Sequence, residues 1–98
     1  MNFDSILQLE SEADKAVFIL GLVTLLRDDQ ITIEDAEHAA FSPRVVDIIR
    51  SKQGISKLLE TTLYLGAELE DIEDDDHDEF NRILDQLRNR AYKIIELS

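Results

Sequence analysis

Cysteine is absent from the 98 residues, so neither a disulfide framework nor a thiolate metal site is available and the fold must be held by packing alone. Proline occurs once and glycine three times. With so little punctuation, and with apolar residues recurring at spacings of three and four, helices are favoured over strands throughout. No Gly-rich phosphate-binding loop occurs. Basic residues are scarce: ten Lys and Arg stand against 22 Asp and Glu, a formal net charge of −12, which excludes a basic nucleic-acid-binding domain. Long hydrophobic runs are also missing. The longest nearly continuous apolar stretch, residues 16–26, includes Gly21 and Thr24 and falls well short of the roughly 18–20 residues a membrane span needs, so it reads as a buried central helix. The first ten residues carry acids but no Lys or Arg, whereas a secretory signal opens on basic residues; a cytoplasmic protein is expected.

Hydrophobic residues make up 44% of the chain and charged ones 33%, enough apolar material to offset chain entropy despite the acidity. A single helical domain over residues 1–98 is expected, all-α, an irregular bundle of five to six helices around a central apolar helix at about residues 12–27. Ser11 followed by Glu12 and Asp14 predicts the start of that helix. Before it, residues 4–9 predict a short helical turn that folds Phe3, Ile6, Leu7 and Leu9 onto the core. Thr32 predicts an N-cap for a short helix ending near Ala40, with Ile33, Ala36, Ala40 and Phe41 inward. Ser42-Pro43 is the strongest local signal, because Pro at the first helical position loses no hydrogen bond and the preceding Ser caps the amides beyond it. The helix it opens, residues 43–52, is expected to bury Val45, Val46, Ile48 and Ile49 and to end at a left-handed Gly54. Ser56 then caps a long helix, and a last helix opens around residues 76–78 with Phe80, Ile83, Leu84, Leu87, Ala91, Ile94 and Ile95 on one stripe. Gly21 and Gly66 are expected to serve one close helix crossing, since Gly inside a helix costs about 1 kcal/mol relative to Ala and needs compensation. Tyr64 and Tyr92 lie beside the apolar stripes, where each serves as a half-buried core residue or an interface anchor.

The catalytic inventory is poor and no enzyme is expected. The serines at 5, 11, 42, 51 and 56 are mostly explained as helix-start residues, and His38 and His77 read as solvated imidazoles. Asp74, Asp76 and Asp78 share the alternate spacing of a calcium loop's opening, but Glu79 stands where the turn needs glycine and Asp85 replaces the closing glutamate. No metal or cofactor is therefore assigned. Nine of the twelve residues from 68 to 79 are carboxylates. That density exceeds what helix capping requires, and its self-repulsion disfavours the compact state unless a basic partner compensates. The part from about 73 to 79 is expected to be an exposed acidic interhelical segment.

Four segments, Phe18-Ile19-Leu20-Gly21-Leu22, Ile31-Thr32-Ile33-Glu34-Asp35-Ala36-Glu37, Phe41-Ser42-Pro43 and Leu65-Gly66-Ala67-Glu68-Leu69-Glu70-Asp71, resemble in order and spacing a family of short all-helical bacterial proteins of unknown function. The resemblance implies an all-α fold without known enzymatic activity. For some members it implies an immunity role: a cytosolic protein that neutralises a toxin, notably a ribonuclease-type toxin of contact-dependent inhibition systems, delivered by neighbouring cells. After Asp71 the sequence leaves the family pattern, exchanging a more apolar, Pro-containing link for the acidic run.

The expected function is a stoichiometric inhibitor whose carboxylates occupy the basic substrate groove of a nuclease toxin, standing where RNA phosphates would stand. The interface is assigned to Glu70, Asp71, Glu73, Asp74, Asp75, Asp76 and Asp78, with Asp28, Asp29, Asp35 and Tyr64 as secondary contacts; neither nucleic acid nor membrane is a direct partner. The alternative is a helical adaptor that binds a partner through an apolar groove, its acids serving solubility alone.

Overall fold

The computed structural model describes residues 5–52, 54–73 and 75–98. Phe3, Asp4 and Asp74, for which the sequence carries expectations, lie outside the described residues. The chain is all-α. A 3-10 turn, Ser5–Gln8, precedes α1 (Glu12–Arg27); α2 (Ile33–Ala36) is a single turn that continues as a π-helical turn, Glu37–Phe41; then come α3 (Pro43–Arg50), α4 (Lys57–Ala67), a 3-10 turn at Glu68–Asp71, and α5 (His77–Leu97). Four of these helices exceed one turn, rather than the five to six expected. Residues 33–41 and 68–71, read from sequence as helical, are short turns of differing pitch, α running into π in the first and 3-10 in the second.

Local chemistry sets every major start. The side-chain oxygens of Ser11, Thr32, Ser42, Ser56 and Asp76 each accept a hydrogen bond from the backbone N–H three residues on, a contribution of about 1 kcal/mol apiece. At Thr32 the arrangement is reciprocal, because Asp35 returns its carboxylate to the Thr32 N–H at 3.1 Å. Helix α1 ends in a paired closure, with Gln30 N–H donating to Leu25 C=O at 2.8 Å and Asp29 N–H to Leu26 C=O at 3.2 Å. That geometry places Asp29 at φ 59, a left-handed conformation normally given to glycine. Gly54 takes the corresponding conformation at φ 84.

Helices α1 and α4 both run antiparallel to α5, whose apolar stripe buries Ile83, Leu84, Leu87, Ala91 and Ile94 against them. Each large side chain so buried contributes about 1.5–3 kcal/mol. The N-terminal ends of α1 and α4 are stapled together by Glu12, whose carboxylate accepts from the N–H of Ser56 at 2.8 Å and from its hydroxyl. Lys15, almost fully buried, donates to the carbonyl of Leu9 and ties the preceding segment down. Burial lowers its pKa, and Lys52 lowers it further against the opposing pull of Glu12, Asp14 and Glu10.

Helix α1 is apolar throughout but not buried throughout. Val17 is 58% exposed, and Gly21 and Thr24 are exposed with it. On α3, Ile48 is 38% exposed because at 100° per residue it lies to one side of the arc formed by Val45, Val46 and Ile49, and a two-turn helix covers only that arc. The π-helical turn, closed by Ser42 N–H to Glu37 C=O at 2.7 Å, widens the buried side of its segment so that Ala36, Ala39, Ala40 and Phe41 all face the core.

The two helical glycines separate. A Cβ on Gly66 would lie 2.7 Å from Cγ of Phe41 and closer still to two further ring carbons, whereas a Cβ on Gly21 would meet nothing within 4 Å. Only Gly66 serves a close approach. Gly66→Ala is therefore expected to destabilise by about 2–3 kcal/mol, since the Phe41 ring is buried and has nowhere to move. Gly21→Ala is expected to stabilise by about 0.5–1 kcal/mol through helix propensity and loss of unfolded-state freedom. Chemical denaturation of the two variants checks both signs; a loss at Gly21 would mean that a side chain there is not free of neighbours.

Candidate functional site

The antiparallel packing brings the C-terminal ends of α1 and α4 and the N-terminal end of α5 to one pole of the bundle, and α2 starts beside them. Two stretches that are distant in sequence meet there. Residues 28–37 contain five acids and residues 68–79 contain nine, fourteen of the 22 in the chain, and neither stretch contains Lys or Arg. The other 76 residues hold ten basic and eight acidic side chains. The net charge of the protein thus resides at this pole.

Between the two stretches lies a groove of about 300 Å³ lined by Leu26, Asp29, Ile31, Thr32, Ile33, Ile72, Glu73, His77 and Phe80. Its floor is apolar: Ile31, Ile33, Ile72 and Phe80 are half-buried against the core. Asp29, Glu73 and His77 are exposed at the rim. Asp75, Asp76 and Asp78 continue the rim into the first turn of α5, where Asp76 caps the helix by accepting from Glu79 N–H at 3.1 Å.

On the other side of α2 the π-helical turn sits on the end of α4. Here Glu37 and Glu70 line one cleft together with Ile33, Phe41, Gly66, Ala67 and Leu69. Burial raises the Glu37 pKa above its ordinary value, the hydrogen bond and charge of Glu70 raise it further, Glu34 adds to the rise and His38 opposes it. His38 itself lies 3.7 Å from Glu34.

The assigned interface residues fall into distinct settings. Glu70, Asp71, Glu73, Asp75, Asp76 and Asp78 lie at the pole with Asp28 and Asp29, all of them exposed; Asp74 lies outside the described residues. Asp35 belongs to the same region, but its carboxylate is engaged in the Thr32 capping box. Tyr64 stands elsewhere, on the side of α4 that faces α3, its hydroxyl accepting from Arg50 at 2.8 Å. Sequence reasoning missed Glu37, Glu34 and the groove floor. Glu37 carried no local signal, because its partner is 33 positions away, and the floor isoleucines read as ordinary core.

Position relative to the helix ends distinguishes the acids. Asp78 and Glu79 occupy the first turn of α5, and Glu34 and Asp35 that of α2, where the helix dipole favours them. Asp28 and Asp29 follow the C-terminus of α1, and Glu68, Glu70 and Asp71 that of α4, where the dipole opposes them. Among cations, Arg27 donates to Asp85 at 2.8 Å and Arg82 forms a two-pronged pair with Glu79, so these two are already engaged within the protein. Among the described residues no group of three or more His, Cys, Asp or Glu is placed to hold a metal ion, and no helix is long and apolar enough to cross a membrane.

Fold and site together define a class: an all-helical protein with an anionic pole surrounding an apolar groove. Residues 8–97 match the model of a family described as proteins of unknown function (DUF3969), and the chain belongs to that family. No curated protein and no solved structure matches it. Three of the four motif segments meet in space, residues 31–37 and 41–43 against residues 65–71, through the Phe41–Gly66 and Glu37–Glu70 contacts.

Two stability measurements probe the pole. A carboxyl group whose pKa is raised by folding contributes stability below its unfolded-state pKa, and that contribution is lost as pH rises through the folded-state value. Glu37→Gln, which still hydrogen-bonds but cannot ionise, is thus expected to melt above the wild type at pH 7. The difference should narrow as the pH falls, and a difference independent of pH would mean that folding does not raise the Glu37 pKa. Asp29→Gly relieves the left-handed conformation and is expected to stabilise by about 0.5–1 kcal/mol, raising Tm by roughly 2–6 °C.

Proposed function

We propose that the protein is an immunity-type inhibitor: it binds a basic toxin domain, a ribonuclease in the leading reading, and blocks the toxin's substrate groove with its acidic pole. The observation that carries this reading is the placement of Asp28, Asp29, Glu68, Glu70 and Asp71 beyond the C-terminal ends of α1 and α4. Asp28 and Glu68 close these helices through their backbone N–H groups, but a carboxylate side chain there works against the helix dipole. Acids kept for solubility alone could be spread over the surface, where repulsion is smaller. A concentrated anionic pole instead accelerates encounter with a cationic target.

The bond to the target is steric and electrostatic, with no covalent step. The family's description leaves function open, and the immunity role rests on the resemblance together with this charge arrangement. A reading in which the protein is an adaptor gripping its partner by the groove alone is favoured by the half-buried Ile31, Ile33, Ile72 and Phe80, and salt separates the two. Field-driven association slows with ionic strength, whereas apolar docking barely responds.

The test looks first for a neighbouring reading frame that encodes a large exported protein ending in a small basic domain; without one, the toxin is sought by pull-down from the native cell. The domain so identified is expected to be toxic when produced alone and harmless when co-produced with the inhibitor. In stopped flow, the association rate should fall at least tenfold between about 50 and 500 mM salt, and joint Asp74→Asn, Asp75→Asn and Asp76→Asn substitution should slow capture at low salt. Absence of protection, or an association rate insensitive to salt, would sink the proposal.

A further inference from the structure

Resting on the anionic-pole reading, the geometry points to a specific occupant for the groove: we infer that the partner seats one or two bulky apolar side chains on Leu26, Ile31, Ile33, Ile72 and Phe80, from a segment flanked by Lys or Arg. Three features carry this. The groove lies where the molecule is most highly charged, yet its floor leaves four large apolar side chains only half-buried. Completing their burial would contribute about 25 cal/mol per Å² of apolar surface removed from water. No Lys or Arg lines it, and its charged rim is Asp29 and Glu73 with Asp75, Asp76 and Asp78 beyond, so the segment on either side of the anchor must be cationic.

Size narrows the occupant. At about 300 Å³ the groove sits at the lower limit of ligand pockets. It admits one or two side chains of an anchor residue, with the remaining contacts made by charge at the rim. An anionic occupant meets repulsion from the rim. A second copy of this chain would have to bring its own pole, with fourteen acids in the same two stretches, against this one.

The partner thus divides its recognition between two kinds of contact. Cationic residues matched to the pole set the rate of encounter, and the apolar anchor in the groove sets the lifetime of the complex. Relatives of the toxin with an equally basic surface but no anchor at that place would be captured as fast and released sooner.

Two synthetic twelve-residue peptides test this by fluorescence anisotropy against the full chain at about 150 mM salt. Both carry eight lysines; one has Leu-Phe at its centre and the other Ser-Ser. The Leu-Phe peptide is expected to bind at least tenfold more tightly. Ile72→Ser should reduce that ratio to near one. His77→Trp, which fills the groove from an exposed rim position without touching the core, should do the same if Ile72→Ser proves unstable. Joint Asp29→Asn and Glu73→Gln substitution should weaken both peptides by the same factor.

Equal binding of the two peptides by the wild type overturns the groove assignment and leaves the anionic-pole reading standing. No binding of either overturns both. Equal affinity for a neutral peptide with the same Leu-Phe centre removes the cationic requirement, and a concentration-dependent dimer that excludes the peptide assigns the groove to a second copy instead.

Discussion

The ring of Phe41 resting on Gly66 holds two like-charged stretches of the chain against each other. Residues 28–37 and 68–79 carry fourteen acids and no cation, and nothing in their side-chain chemistry would bring them together. They meet because the apolar residues within and beside those stretches belong to one core: Ile33, Ala36, Ala40 and Phe41 from one side, Leu63, Leu69 and Ile72 from the other. The absence of a side chain at Gly66 lets the π-helical turn approach α4 closely enough for that core to close. Apolar packing is short-ranged and does not depend on salt, whereas the repulsion it must overcome is partly screened by water and ions. The pole is therefore a region where folding energy from the interior is set against electrostatic strain at the surface.

Such an arrangement reconciles two modes of recognition that the composition alone presents as alternatives. An acidic rim and an apolar groove floor are one site here, because the acids of α1's end and the linker before α5 border a groove whose floor comes from α2, α5 and residues 31 and 72. The same division explains the left-handed Asp29. Glycine would suit its backbone better, but glycine would remove a charge from the rim. Asp29 takes its left-handed conformation at the same end of the molecule where Thr32 and Asp76 cap their helices in the ordinary way. Departures of this kind concentrate where a surface has a task besides stability.

Much of the architecture was legible along the chain because its determinants are local. The starts of α1, α3, α4 and α5 follow from Ser11, Ser42-Pro43, Ser56 and Asp76, each of which acts on an amide three residues away. The stripe of α5 follows from its period. The left-handed Gly54 and the inward set of residues 33–41 were equally legible. Less so were the extents of the short elements: a run of helix-forming residues does not disclose whether it closes in α, 3-10 or π geometry, because that depends on which neighbour its side chains must reach.

Sequence alone therefore determined the helical class, the helix starts, the acidity of the run after residue 68 and its membership of a surface. Tertiary structure alone decided that Gly66 and not Gly21 receives a neighbour, that Val17 and Ile48 face water, that Tyr64 answers to Arg50, and that Glu37 and Asp29 join acids forty residues away. The physical reason is the range of each interaction. Caps, periodicity and dipoles act within a turn or two and are written in consecutive residues, whereas the groove and its charge arise from where two antiparallel helices happen to end together, a property of the packed bundle that no single segment carries.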